Sequence, residues 1–118
     1  MSVDDEPGIL FTRQKFLENA GYEVLSAADG EQALHFFATH SVDLVLLDYL
    51  MPGMNGGAVA QAIKDQKPLV PVIIVSASPV EEQTLTCVDC FVRKGEGPAL
   101  LLEKIRQMLN GMAHEISL

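Results

Sequence analysis

Two stretches of the chain, Leu44–Leu47 and Val72–Val75, are unbroken runs of branched apolar residues rather than alternations of apolar and polar ones. A strand covered on one face alternates and a strand covered on both does not, so these two read as central strands of a parallel sheet. Around them the period changes. Ile9, Leu10, Phe16, Leu17 and Ala20 predict a helix over Pro7–Ala20, with proline near its start and Gly21 just past its end. Tyr22–Ala27 reads as a short strand. Asp29 then stands three residues before Gln32 as a helix cap, opening an amphipathic helix through Ala33, Leu34 and Phe37. Gly57–Gln66 is a helix of small residues, and Pro98–Met108 a closing helix with proline in its first turn. Met1–Val3 and Cys90–Arg93 complete the strands. Between Ser78 and Asp89 there is room only for a short fourth helix, placed at Val80–Thr86. Alternating strand and helix predicts right-handed βαβ units, hence an α/β fold with a doubly wound parallel sheet and helices on both faces.

In such sheets chemistry collects beyond the carboxyl ends of the strands. The first strand ends in Asp4 and Asp5, the third in Asp48, the fourth in Ser76 and the fifth in Lys94. The second ends in Ala27 and Ala28 and contributes no polar group, which suits an edge position. Three converging carboxylates repel one another, by about 1 kcal/mol per pair at ~4 Å in water and about 4 at an effective dielectric of 20. Hard oxygen ligands with no Cys or His beside them suit Mg²⁺ or Mn²⁺. Lys94 offers a point charge for a phosphoryl oxygen, Ser76 a hydroxyl donor, and Asp48 a nucleophile. Together these are the parts that phosphoryl transfer requires.

In this order and spacing, the stretches VDDEP, GYEVLSAADGEQAL, DLVLLDYLMPGMNG, PVIIVSA and FVRKG resemble the receiver domain of two-component response regulators, the CheY-like family, over nearly the whole chain. The resemblance implies one receiver domain over 1–118 and a flavodoxin-like three-layer sandwich of five strands in the order 2-1-3-4-5. It implies that Asp48 accepts a phosphoryl group from a phosphohistidine on a sensor histidine kinase or histidine phosphotransferase. Asp4, Asp5, Asp48 and the backbone carbonyl of Leu50 would hold Mg²⁺, and Ser76 and Lys94 would contact the phosphoryl oxygens. Phe91, three residues before the lysine, falls at the family's switch aromatic position. A domain of this kind is not an enzyme on outside substrates; it catalyses only its own phosphorylation and dephosphorylation, then signals to a downstream protein or an output domain.

The chain departs from the family pattern at three places. Only three residues precede the acidic pair, so the first strand is either clipped at its start or unusually short. Gly95 follows Lys94 where the family carries a proline after a cis bond; a cis bond before a non-proline costs about 2.5–4 kcal/mol, so a trans bond is expected. The short fourth helix puts the family's usual signalling surface in question.

Composition narrows the alternatives. A formal charge of -8 with only eight Lys and Arg argues against direct nucleic-acid binding. No apolar run is long enough to span a bilayer, and MSVDDEP is acidic where a signal peptide is basic, so a cytoplasmic protein without membrane contact is expected. Cys87 and Cys90 have CxxC spacing, but a zinc site needs four ligands and His35, His40 and His114 supply no paired spacing; two ordinary part-buried thiols are expected. Two other functions compete: a degenerate, phosphorylation-independent protein-interaction module, and a metal-dependent phosphatase, which would need a general acid that Asp48-Tyr49-Leu50 does not offer.

Overall fold

The structure is a computed structural model that describes residues 1–51 and 53–117, with side chains described as far as Asn110. The elements in chain order are β1 (Ser2–Val3), α1 (Pro7–Asn19), β2 (Ser26–Ala27), α2 (Gly30–Thr39), β3 (Val45–Asp48) and α3 (Gly56–Gln66), followed by β4 (Val72–Ser76), α4 (Glu82–Cys87), β5 (Cys90–Arg93) and α5 (Pro98–Ser117). The strands form one parallel sheet in the order β2-β1-β3-β4-β5. This is the expected topology, and the order reverses at β1, whose two neighbours are β2 and β3.

The apolar runs are unbroken because each face of the sheet carries its own core. Val45, Leu47, Val72 and Ile74 pack with Ala33 and Phe37 of α2 and with Val59, Ala60 and Ile63 of α3. Leu44, Leu46, Ile73 and Val75 pack on the other face with Leu17 of α1 and with Leu101 and Ile105 of α5. Each strand residue thus buries its side chain on alternate sides, at roughly 1.5–3 kcal/mol per aliphatic side chain removed from water.

Several boundaries differ from the sequence reading. The strand expected over Tyr22–Ala27 is two residues long, since its ladder partner β1 offers only Ser2 and Val3. Tyr22 and Val24 instead turn their side chains into the α1–α5 core. α4 starts at Glu82 rather than Val80, because Glu81 stays extended as its cap while its N–H donates to the Tyr49 hydroxyl at 3.3 Å. α5 runs on past Met108, since Asn110-Gly111 costs a helix only about 1 kcal/mol and does not end it. Pro52, in the loop after Asp48, lies outside the described residues, as does Leu118 at the end of the expected 1–118 span. Cys87 and Cys90 are free thiols that pack against opposite cores, so their CxxC spacing does not turn them to one face.

At the amino edge of the sheet, away from the acidic residues, Lys64 forms a clamp. Its ammonium donates to the Val70 carbonyl at 2.8 Å and the Pro68 carbonyl at 3.3 Å, and pairs with Asp89, whose carboxylate accepts from the Val72 N–H at 2.8 Å. Lys64→Met is expected to lower stability by about 1–2 kcal/mol in urea unfolding while leaving the chemistry of the opposite edge unchanged. An unchanged midpoint would remove the clamp from the account.

Candidate functional site

Asp48 is the last residue of β3 and Asp4 follows β1 directly, so adjacent parallel strands deliver the two carboxylates to one edge. Asp4 is fully buried and Asp48 is 3% exposed, while Asp5 is half-buried. One carboxylate oxygen from each of Asp4, Asp5 and Asp48 lies within 4.8 Å of the others, so the convergence expected from the strand ends is met.

Two cations stand beside Asp4, and one of them also pairs with Asp48. Lys94 follows β5, and its backbone N–H donates to the Ser76 carbonyl at 2.9 Å. Its ammonium lies 3.1 Å from Asp48 Oδ1 and 3.7 Å from Asp4 Oδ2. The Lys94–Gly95 bond is trans, as expected, and Gly95 turns the chain at φ +92°, where only glycine is unstrained. The second cation, Arg13, is one the sequence reading missed. It stands on α1 four residues after Ile9 and four before Leu17, inside the apolar stripe, and its Nη2 lies 3.7 Å from Asp4 Oδ2. A charged residue at an inward helical position was the available signal.

Burial is the main influence raising the Asp48 pKa; the Lys94 hydrogen bond and charge oppose it, while Asp4 and Asp5 add to it as like charges. Burial also lowers the Arg13 pKa, against the pull of Asp4 and Asp48. Asp4 Oδ1 accepts from the Glu6 N–H at 3.0 Å at the start of α1, whereas Asp4 Oδ2 is buried without a hydrogen-bond partner among the described residues. An orphaned carboxylate oxygen beside two further carboxylates suits a hard divalent cation, so the residues present fit the expected Mg²⁺.

The remaining expected residues stand nearby in other postures. Ser76 is buried at the end of β4, but its hydroxyl donates to the Ser78 carbonyl at 2.9 Å and accepts from the Ser78 N–H at 3.1 Å. The hydroxyl makes no bond to Asp48 or to the Lys94 ammonium in this conformation. Phe91 is half-buried on β5, packed against the α2–α3 core. Leu50, two residues beyond Asp48, leaves its side chain 57% exposed at the rim. Tyr49, beside Asp48 and read from the sequence only as no general acid, is buried and ties β3 to the start of α4 through its hydroxyl.

Comparison with known proteins shows the family and the fold. The profile of the response regulator receiver domain matches residues 1–108. Response regulator GtcR of Aneurinibacillus migulanus is 33% identical over 111 residues, covering 91% of this chain and 46% of GtcR. The chain spans half or less of the length of the curated relatives it matches. Among solved structures, a CheY-like receiver domain from Methanospirillum hungatei is 30% identical with a TM-score of 0.92, covering 97% of this chain and 94% of that one. Response regulator TrrA of Thermotoga maritima, solved with Mg²⁺ and BeF, is 34% identical with a TM-score of 0.87, covering 92% of this chain and 96% of that one. TrrA has also been solved in complex with the histidine kinase ThkA.

Proposed function

The chain belongs to the response regulator receiver domain family, and on that premise we propose that it accepts a phosphoryl group on Asp48 from a phosphohistidine of a sensor kinase or phosphotransferase. The observation that carries this reading is a buried carboxylate at the end of the central strand, 3.1 Å from the Lys94 ammonium and clustered with Asp4 and Asp5. An Asp48 oxygen attacks phosphorus; a P–O bond forms, the P–N bond to the donor imidazole breaks, and the imidazole leaves with a proton. Asp4, Asp5, Asp48 and the Leu50 carbonyl would hold Mg²⁺, which when bound screens charge on the transferring phosphoryl oxygens. Lys94 neutralises one of those oxygens as charge develops. Ser76 reaches them only after leaving Ser78. That departure opens space which Phe91 can take, reshaping the surface of α4, β5 and α5. TrrA, a relative bound to Mg²⁺ with BeF in one crystal and to a histidine kinase in another, supports both the metal and the partner.

On this reading the domain acts in the cytoplasm, turns over no external substrate and passes its state to a downstream protein or an output domain. The test is incubation with Mg²⁺ and acetyl phosphate followed by intact mass. One added phosphoryl group, abolished by chelation, is expected. No gain points to a docking module, the reading favoured by the Ser76 hydroxyl being tied back to Ser78, and continuous turnover points to a phosphatase.

The exposed, apolar Leu50 gives an attacking water no hydrogen-bond partner, so the phosphoryl group should persist. Leu50→Asn would supply one bond of about 1 kcal/mol and speed hydrolysis about fivefold. Phosphoryl decay followed by mass would show it, and equal lifetimes would count against this role.

A further inference from the structure

Resting on the reading that Asp4, Asp5 and Asp48 hold a divalent cation, we infer that Arg13 is the site's resident counter-ion, a positioning residue that holds Asp4 in the metal-free state and sets the Mg²⁺ concentration at which the site fills. The argument starts from α1. Phe16 and Leu17 mark the face of the helix turned toward the sheet, and Arg13 stands one turn before Leu17 with a side chain only 9% exposed. A guanidinium is rarely buried unless paired, and its only ionic partner among the described residues is Asp4.

The pairing converges on a single atom. Asp4 Oδ1 is taken by the Glu6 N–H. Asp4 Oδ2 faces both Arg13 Nη2 and Lys94 Nζ at 3.7 Å each, outside the 2.7–3.2 Å of a formed hydrogen bond. Among the described residues neither Asp4 Oδ2 nor Arg13 Nη1 has a hydrogen-bond partner, though both are buried. The oxygen most available to a cation is therefore the one already balanced by two protein charges. Lys94 is shared with Asp48 and is drawn toward it, at 3.1 Å; Arg13 has no such second ion pair among the described residues. A cation taking Oδ2 competes with the guanidinium for that oxygen and meets it as a like charge. Because arginine stays charged throughout the working pH range, the competition cannot be relieved by deprotonation and acts as a fixed handicap on metal affinity.

Two consequences separate this role from mere packing. Removing Arg13 should tighten Mg²⁺ binding, since the repulsion goes with it. It should also weaken the metal-free fold, because a buried carboxylate loses its partner, while saturating Mg²⁺ restores most of the loss by binding the folded state alone. Isothermal titration of the whole chain with MgCl₂, alongside melting curves with and without Mg²⁺, reads both. Arg13→Gln and the similarly sized apolar Arg13→Met are each expected to lower the Mg²⁺ Kd about tenfold and to gain more melting temperature from Mg²⁺ than the wild type does. Arg13→Lys, which keeps the charge, should stay near wild type. Two variants guard against one failing to fold. Folded variants with Kd unchanged or raised would overturn the proposal, the latter showing that Arg13 holds Asp4 in a ligating pose. A wild-type chain that takes up no Mg²⁺ would instead sink the underlying reading of the three carboxylates.

Discussion

Replacing Asp48 with asparagine is expected to raise the melting temperature at neutral pH while abolishing phosphorylation. Asp48 is 3% exposed, and its charge stands within 4.8 Å of carboxylate oxygens on Asp4 and Asp5, with Lys94 as its one close counter-charge among the described residues. Burial and the two like charges raise its folded-state pKa above the ordinary 3.8. The folded state therefore binds this proton more tightly than the unfolded chain does. Stability attributable to Asp48 falls as pH rises from the ordinary carboxylate pKa through the raised folded value, and the deficit persists at neutral pH. Asparagine keeps the shape and removes the charge, and Lys94 keeps Asp4 as a partner. A gain on the order of 1 kcal/mol follows, which for a domain of this size is about 4 °C. The variant should also lose part of the wild type's decline in stability between acid and neutral pH. A lower melting temperature at every pH would mean that the Lys94–Asp48 pair outweighs the burial and repulsion, contrary to the account.

Gly56→Ala is expected to be among the most damaging single changes in the fold. A Cβ at this position would lie 2.7 Å from the Asp48 carbonyl oxygen, 2.7 Å from Tyr49 Cα and 3.0 Å from the Tyr49 oxygen. All three are backbone atoms, so no side chain can rotate away. The Gly56 N–H also donates to the Tyr49 carbonyl at 2.7 Å, which pins the first turn of α3 against the end of β3. Inserting a methyl group must push the helix and Asp48 apart, at about 2–3 kcal/mol and roughly 10 °C of melting temperature. Phosphorylation by acetyl phosphate should slow by more than tenfold, because a displaced nucleophile loses its alignment. Gly57→Ala is the control. There the nearest atom is Thr84 Oγ1 at 2.4 Å, on a side chain that can rotate, so a smaller loss is expected. Equal melting temperatures for the two variants would refute the close-approach argument.

The same two regions show how far the sequence could be read. Leu44–Leu47 and Val72–Val75 announced two-sided burial, and the strand alternation then placed Asp4, Asp5, Asp48 and Lys94 at one edge, where the structure has them. Those inferences need only period and topology. What escaped depends on side-chain direction and close approach. Arg13 went unread because the apolar stripe around it is read from its apolar members alone. Ser76 was legible as a hydroxyl at a strand end, but its turn onto Ser78 is set by local hydrogen bonds. Gly56 falls one residue before the helix read from Gly57, and its contact with the Asp48 backbone is tertiary. The second strand was read too long because its length is fixed by its partner β1 rather than by its own residues.

The central claim is that Asp48, and no other residue, carries the phosphoryl group. An aspartyl phosphate is an acyl phosphate, and borohydride reduces it to homoserine in place. Treating the chain with Mg²⁺ and acetyl phosphate, quenching with borohydride and sequencing the peptides by mass spectrometry should reveal homoserine at position 48, with Asp4 and Asp5 unmodified and no conversion when Mg²⁺ is chelated. Homoserine at another aspartate, or a phosphoryl group that survives on Ser76, would contradict the account.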